Sequence, residues 1–440
     1  MRGIRQRLGT PTATLALVVA GLLTVSSCSG GGPALPGSSS GPDTATAPAV
    51  PAPVIQVSPV KGAAKVRPDK PVVVTADGGA LEEVSVTSGG KPVEGKFNSE
   101  RTRWTSTGTL RPAAAYTVTA SASGEGGPAT VTSAFKTLTP ARQLRIADIT
   151  PNVKGETLGI GMPIMVTFDQ EVKDKKSVEG ALTVTSEKPH TGAWRWITDR
   201  QVIYRPAKFW SAHQKVTFNA DLQGVRAAAD MYGVRNYATT MKIGAAWVST
   251  VSVSSHTMVV RKDGKVVKRM PISAGKATTR EYTTTNGIHL TMERGNPVTM
   301  ISPGKKEGDP GYYKEIVNHA VRISNSGEYV HSAPWSVGSQ GRANVSHGCV
   351  NARPDQAKWY YDNFHRGDVV KITGTNRSLE WNNGWGFWQM PFKEWRKGSA
   401  LPKTAKKSTP TATPSADPTA DPTGQPTGQT SPTGETTVTG

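Results

Sequence analysis

Cys349, His331 and His347 are the residues whose types and spacing could carry covalent chemistry in this chain. The cysteine closes a Ser346-His347-Gly348-Cys349 run and is followed by Val350-Asn351, while His331 lies 18 residues upstream behind Tyr329-Val330. A thiol at its ordinary pKa of ~8.5 is ionised to only a few per cent at pH 7, so a nucleophilic cysteine needs a base beside it. An imidazole accepts that proton and can return one to a leaving amine, which makes a Cys–His pair suited to acyl transfer. His331 is the better placed base, because it comes from a different strand; His347, two residues from the thiol, is left an orienting or substrate-shaping role. The N–H groups of His347, Gly348 and Cys349 are expected to converge on a tetrahedral oxyanion, with Gly348 permitting the turn. No Asp or Asn is obviously placed to orient His331, and the backbone carbonyl of Ser332 is the available substitute. One Cys and two His without nearby carboxylates fall short of a zinc site, and no Cys-x-x-Cys is present for redox work, so no metal or cofactor is expected.

The elements around these residues read as mainly β. Thr257 to Lys268 forms a hairpin turning on Asp263-Gly264, a dipeptide that supplies positive φ. Further strands are expected at Ile288–Met292, Val298–Ile301, Ala320–Ile323, Glu328–Ser332 and Asp368–Ile372. A helix is expected from Pro354 to Phe364, with Pro in its first turn, Asp355 at its positive end and Ala357, Tyr360, Tyr361 and Phe364 along one stripe.

Length and composition suggest about three domains plus tails. Residues 1–28 read as an export signal: Arg2, Arg5 and Arg7, then an apolar run from Leu15 to Val25 that is too short for a ~30 Å hydrocarbon core. Val25-Ser26-Ser27-Cys28 resembles a lipobox, which makes Cys28 the expected lipidation site and the outer face of the membrane the expected location. Cys349 is then the single thiol of the mature chain, a liability in an oxidising compartment unless buried or used. Residues 29–53 are a Gly/Ser/Pro/Ala tether. Residues 54–140 and 141–245 read as two copies of one small antiparallel sandwich. Lys70–Thr75 corresponds to Met162–Thr167, Val84–Thr87 to Leu182–Thr185, Ser99–Trp104 to Thr198–Tyr204, and Tyr116–Ala120 to Lys215–Asn219. Neither copy shows a site, His190 and His213 included, so both are expected to act as spacers. The catalytic region is 246–373. Residues 374–400 are rich in Trp and are expected to pack on the catalytic sheet. From 401 the Thr/Pro repeats cannot bury a core. The formal charge is +19, and residues 246–400 hold 21 Lys+Arg against 12 Asp+Glu. That excess favours anionic wall polymers or lipid headgroups; nucleic acid is excluded by the lack of a basic helix, zinc-finger spacing or RNP-type strand.

His331 with Ser346-His347-Gly348-Cys349-Val350-Asn351 resembles the signature of the YkuD-like L,D-transpeptidases, in particular the actinobacterial multidomain lipoproteins. The resemblance extends from the lipobox through two immunoglobulin-like modules to the Trp-rich end. It implies two immunoglobulin-like sandwiches followed by a YkuD-like β-sandwich catalytic domain with a short helix and a Trp-rich subdomain. It also implies a transpeptidase that joins peptidoglycan stems 3→3: Cys349 attacks the third-residue carbonyl of a tetrapeptide donor, the terminal D-alanine leaves, and an acceptor amine takes the acyl group. Carried over residue by residue, Ser346 and Asn351 line the cleft, Ser326, Gly327 and Trp335 flank the stem, and Tyr313 and Met300 belong to a lid. Capture by carbapenems is implied as well. Rival readings are an L,D-carboxypeptidase using the same site, a sortase-like acyltransferase and an inactive wall-binding scaffold. Sortases need a Thr-x-Thr-Cys setting that is absent here although Arg353 follows the cysteine; papain-like peptidases place Cys before His; a retired scaffold needs neither Cys349 nor His331.

Overall fold

The computed structural model describes residues 50–302 and 305–402. The expected signal with Cys28, nearly all of the tether and nearly all of the Thr/Pro tail lie outside the described residues.

Short strands of alternating polarity build two sandwiches that share the order of one sheet and three strands of the other. In the first, Val54–Ser58, Val73–Asp77, Arg103–Ser106 and Gly95–Phe97 form one sheet in that order. In the second, Ile146–Thr150, Ile164–Phe168, Gln201–Pro206 and Gly192–Trp196 repeat that order. The opposing sheets also correspond: Ala80–Ser88 and Ala115–Gly124 pair antiparallel, as do Leu182–Ser186 and Gln214–Ala220. The repeat read from sequence is therefore a repeat of strand order. The second copy adds a small sheet of Arg142–Leu144, Arg226–Ala228 and Met231–Gly233.

The catalytic domain is built on two sheets. One contains β1 (Trp247–Ser252), β2 (Thr257–Lys262), β3 (Lys265–Pro271) and β4 (Gly287–Leu290). The other contains β5 (Arg294–Gly295), β8 (Ala320–Arg322), β9 (Tyr329–Ser332) and β10 (Val350–Ala352). Between β5 and β8 the chain makes a separate hairpin, β6 (Val298–Ile301) with β7 (Lys314–Val317). β11 (Val369–Thr373) returns to the first sheet between β1 and β4. The β2–β3 turn has Asp263 at φ 49° and Gly264 at φ 83°, the mirror-image geometry expected of Asp-Gly. The helix α1 runs Pro354–Asn363 and buries Ala357 and Tyr360, with Phe364 buried just beyond it and Tyr361 partly covered.

One expectation is corrected by the packing and another is extended. The second sandwich is more than a spacer, because its core is continuous with the catalytic domain: Leu290 and Val369 belong to the same apolar cluster as Met162, Ile164 and Trp210. The joint is close. Gly159 and Gly161 donate to Arg366 O and Gly367 O at 2.8 and 2.9 Å, and a Cβ on Gly159 would lie 2.1 Å from the Asp368 nitrogen. The first sandwich keeps a core of its own around Val74, Leu81, Trp104 and Val118.

The Trp-rich segment packs on the catalytic sheet, as expected, but it also packs on the second sandwich. Trp395 is 0% exposed and donates to Ala193 O at 3.0 Å. Arg205 is buried among the rings of Trp388, Phe392 and Trp395 with its guanidinium on Pro206 O and Met390 O. Burying a cation without a carboxylate is costly, and the carbonyls and π faces are what offset it. On the catalytic side, Asn286 exchanges backbone hydrogen bonds with the 377–379 stretch, donating to Arg377 O and accepting from the Leu379 N–H, and Gln389 donates to Ile288 O at 2.8 Å.

Trp395→Ala should destabilise the protein by about 3–5 kcal/mol, the usual scale for truncating a fully buried aromatic side chain. Because the second sandwich and the catalytic domain share a core, calorimetry should show one transition for both moving down together, with the first sandwich's transition unmoved. Separate shifts of the second sandwich and the catalytic domain would contradict the shared core.

Candidate active site

β9 and β10 run parallel, with Val330 opposite Val350, His331 opposite Asn351 and Ser332 opposite Ala352. Side chains two apart on a strand share a face, so Cys349, two before Asn351, lies on the His331 side of this pair. His331 is 3% exposed. Its Nδ1 lies 2.9 Å from Ser332 O. A carbonyl only accepts, so Nδ1 carries the proton and Nε2 keeps its lone pair. The expected backbone substitute for an orienting carboxylate is thus where sequence placed it. Burial lowers the imidazole to about 4, against the opposing pull of the Ser332 carbonyl and the Asn351 side chain.

Cys349 ends a tight turn that Ser346 ties together. Its hydroxyl donates to Cys349 O at 2.6 Å and accepts from the Gly348 N–H at 3.1 Å. Thr284 Oγ1 donates to Gly348 O at 2.8 Å. Gly348 sits at φ 128°, a backbone conformation that side chains resist. This corrects the expected oxyanion donors: the Gly348 N–H is spent on Ser346. Among the described residues the N–H groups of His347 and Cys349 have no acceptor.

The Cys349 thiol lies 3.6 Å from Gly327 O, and among the described residues no hydrogen bond joins it to His331. Burial pushes the thiol up to about 12; Glu328 and Glu315 add to this, and a backbone hydrogen bond from Tyr329 opposes it. Thiol and imidazole are therefore both neutral at pH 7.

A cavity of about 440 Å³ opens onto Cys349. Met300, Tyr313, Ser326, Gly327 and His347 line it, which brings five of the sequence-selected residues to one place. Met300 and Tyr313 come from the β6–β7 hairpin and its connecting loop and pack with Cys349 in one apolar cluster. His347 is held between two tyrosines, its ring stacked on Tyr313 at 4.6 Å and edge-on to Tyr282 at 4.7 Å. Burial lowers its pKa, helped by Lys276 and Lys305. Three expected cleft residues do not line this cavity. Ser346 is spent inside the turn. Asn351 is buried and donates to Ser336 Oγ at 3.1 Å. Trp335 stands 6.1 Å from the His331 ring and is 55% exposed.

The structure also brings in residues that sequence reasoning missed. Glu328 lines the cavity and is 4% exposed. Burial alone would raise its carboxyl, but His289 and the Thr285 hydroxyl and N–H hold it down at about 2. Tyr282, Lys305 and Arg377 also line the cavity. The Thr283-Thr284-Thr285 run, with His289 four residues on, was the available signal; hydroxyls clustered before an apolar strand point to buried acceptors nearby.

Residues 246–372 match the family model described as the L,D-transpeptidase catalytic domain, and residues 63–226 match the bacterial Ig domain. The chain is 38% identical to L,D-transpeptidase 2 of Mycobacterium tuberculosis (strain CDC 1551 / Oshkosh) over 352 residues, 79% of this chain and 85% of the relative. It is 35% identical to L,D-transpeptidase 5 of strain ATCC 25618 / H37Rv over 373 residues, 82% of this chain and 80% of that one. Among solved structures it is similar to an L,D-transpeptidase from Mycobacterium smegmatis, at 36% identity and a TM-score of 0.44, covering 52% of this chain and 99% of that one. An L,D-transpeptidase solved in complex with imipenem is similar at 33% identity and a TM-score of 0.45, covering 52% of this chain and 98% of that one. The fold and the Cys–His site define a cysteine acyltransferase of mainly β structure carried on immunoglobulin-like modules. The chain belongs to the L,D-transpeptidases.

A neutral thiol has a measurable consequence. Because burial raises the Cys349 pKa to about 12, its thiolate fraction grows about tenfold per pH unit throughout the range below that value. Alkylation of the free enzyme by iodoacetamide should rise steadily from pH 6 to pH 10 without levelling off. A plateau beginning near pH 6 would reveal a preformed thiolate–imidazolium pair instead.

Proposed function

We propose that this L,D-transpeptidase joins peptidoglycan stem peptides 3→3 through an acyl-enzyme on Cys349. The register of β9 against β10 carries the reading, since it sets the nucleophile and a base with a fixed tautomer on one face.

As Cys349 Sγ attacks the carbonyl carbon of the donor's third residue, its proton passes to His331 Nε2. The carbonyl electrons move onto oxygen, where the N–H groups of His347 and Cys349 are the available donors. Collapse breaks the C–N bond, and His331 gives its proton to the departing amine of D-alanine, leaving a thioester. An acceptor's side-chain amine then attacks, His331 takes its proton, and the amide forms as the thiol is restored. Ser332 and Asn351 keep the imidazole in place through both halves. Met300 and Tyr313 cover the apolar side of the cavity, and His347, held by the tyrosines, shapes its wall.

Strained lactams present the same electrophile to the same thiol, so carbapenems should acylate Cys349. The relative solved with imipenem supports this extension. We place the enzyme outside the cell, anchored by a lipid on Cys28; the Arg-rich start, the short apolar run and Ser26-Ser27-Cys28 support that location.

Disaccharide-tetrapeptide incubated with the enzyme should yield a dimer lacking one D-alanine, seen by mass spectrometry, and an intact-protein adduct on Cys349. Cys349→Ala should give neither while melting near the wild-type temperature. His331→Gln should slow acylation by roughly 10²–10⁴, the usual scale for losing a general base. A dimer made by Cys349→Ala, or a His331→Gln loss of tenfold or less, would sink the assignment of these roles. A shortened monomer with no dimer would make the enzyme a carboxypeptidase.

A further inference from the structure

The proposed chemistry uses the sulfur end of the cavity and leaves its cationic wall without a task. Lys305 and Arg377 both line the cavity, and among the described residues neither has a carboxylate within ion-pair distance. Arg377 reaches the site from beyond the matched catalytic region and spends Nη1 on Arg280 O at 3.1 Å and Thr283 O at 3.2 Å. Its Nε is buried and has no acceptor among the described residues. Lys305 Nζ donates to Pro310 O at 2.7 Å and lies 5.9 Å from the Tyr282 ring, while Lys276 Nζ lies 4.7 Å from the same ring.

The carboxylates available to balance these charges are few. Glu328 is committed to Thr285 and His289, and Arg280 is paired with Glu380 at 3.1 Å. Among the residues lining the cavity that leaves Glu281, which feels both Arg377 and Lys305; Glu315, partly buried, lies near the thiol and Tyr313. Two neighbours register the resulting field. Glu281 is lowered by its own backbone and Thr279, with Arg377 and Lys305 contributing. His347 is lowered by burial, with Lys276 and Lys305 contributing. A guanidinium and an ammonium held on neutral acceptors bind a carboxylate through charge-assisted hydrogen bonds.

We propose that Lys305 and Arg377 form a carboxylate-recognition wall, so that a productive donor must bring a free carboxylate to the cavity as well as the scissile amide. This rests on the peptide-donor reading above and narrows it. A tetrapeptide offers that group from two sources: the terminal carboxylate of the leaving residue, or a side-chain carboxylate of a dicarboxylic diamino acid at the third position. Neutral or purely cationic donor ends are disfavoured by the same charges.

The test measures acylation kcat/KM of the full chain with three disaccharide-tetrapeptide donors: the dicarboxylic diamino-acid form, its C-terminal carboxamide, and the form with lysine at the third position. Each is assayed with wild type, Lys305→Gln and Arg377→Gln. The wild-type enzyme should lose about ten- to a hundredfold on the donor that lacks the recognised carboxylate, the scale of a hydrogen bond to a charged group. Lys305→Gln should lose a similar factor on the complete donor, mostly in KM, with little further loss on the deficient one. A poor carboxamide assigns the leaving residue's carboxylate, and a poor lysine form assigns the side-chain one. Raising salt should weaken the complete donor more than the deficient one. Arg377 also clamps the loop at Arg280 and Thr283, so if Arg377→Gln fails to fold, Lys305→Gln decides alone. Equal use of all three donors by wild type, or equal loss on all three in Lys305→Gln, would overturn the proposal while leaving the transpeptidase reading intact. A wild-type enzyme that is alkylated at Cys349 yet acylated by none of the three would overturn both.

Discussion

The parallel pairing of Tyr329–Ser332 with Val350–Ala352 is the constraint on which the site depends. Parallel neighbours cannot be joined by a tight turn, so the chain between Ser332 and Val350 must leave the sheet and return in register. A slip of one residue would turn Cys349 to the opposite face from His331. The connecting loop is held by buried polar side chains instead of an apolar core. Gln340 donates to Ala333 O and Ser336 Oγ, Asn351 donates to the same hydroxyl, and Asn344 caps Ala274 N and donates to Val253 O. The amide nitrogens of Gln340 and Asn351 are paired, while their oxygens are buried without a partner among the described residues. The geometry is held because each broken bond would leave a further unpaired buried group.

That geometry presents a neutral thiol to a neutral imidazole. Both are driven there by burial, which penalises charge whichever group would carry it. With the thiol near 12 and the imidazole near 4, a resting ion pair is rare, and proton transfer has to accompany carbon–sulfur bond formation. Such a site resists adventitious oxidation and alkylation, which act on thiolates, and becomes reactive only when an electrophile is in place. The fixed tautomer of His331 supplies the other half, since no imidazole rotation is needed before Nε2 can take a proton.

Much of this was legible in the sequence because it is local. Asp263-Gly264 dictated a hairpin, Pro354-Asp355 a helix start, and the Ser-His-Gly-Cys run a turn bearing a nucleophile. The sandwich repeat was legible because both copies keep the same alternation. The missed parts are products of tertiary packing. Gly348 reads as a source of backbone freedom, yet its N–H is taken by Ser346 across the turn, which local sequence does not reveal. Asn351 resembles a cleft residue by position but is buried and bonded to Ser336, fifteen residues earlier in the chain. Glu328 looks like the solvated start of a strand until Thr285 and His289, some forty residues earlier in the chain, are brought against it. Arg377 was invisible as a site residue because it lies beyond the strand that completes the catalytic sheet.

The same distinction separates the two immunoglobulin-like modules, which look interchangeable in sequence. The first keeps a core of its own and meets the second at a local joint, where Thr109 donates to Gln223 O and Gly224 lies against Leu110 O. The second shares its core with the catalytic domain: the Gly159–Gly161 segment enters the backbone of the Gly367–Asp368 turn, and its cluster includes Leu290 and Val369 from the catalytic sheet. Asp368, wholly buried at this joint, is pushed up to about 6 by burial, against the pull of His365. β11 begins at the next residue and pairs along its length with β1, so the alignment of the catalytic sheet is continuous with the joint. The Trp-rich segment closes the arrangement from the other side, placing Trp395 against Ala193 and Gln389 against Ile288. The segment that carries Arg377 into the cavity is therefore anchored on the second sandwich. In physical terms, the catalytic unit is the second module, the catalytic domain and the Trp-rich segment together.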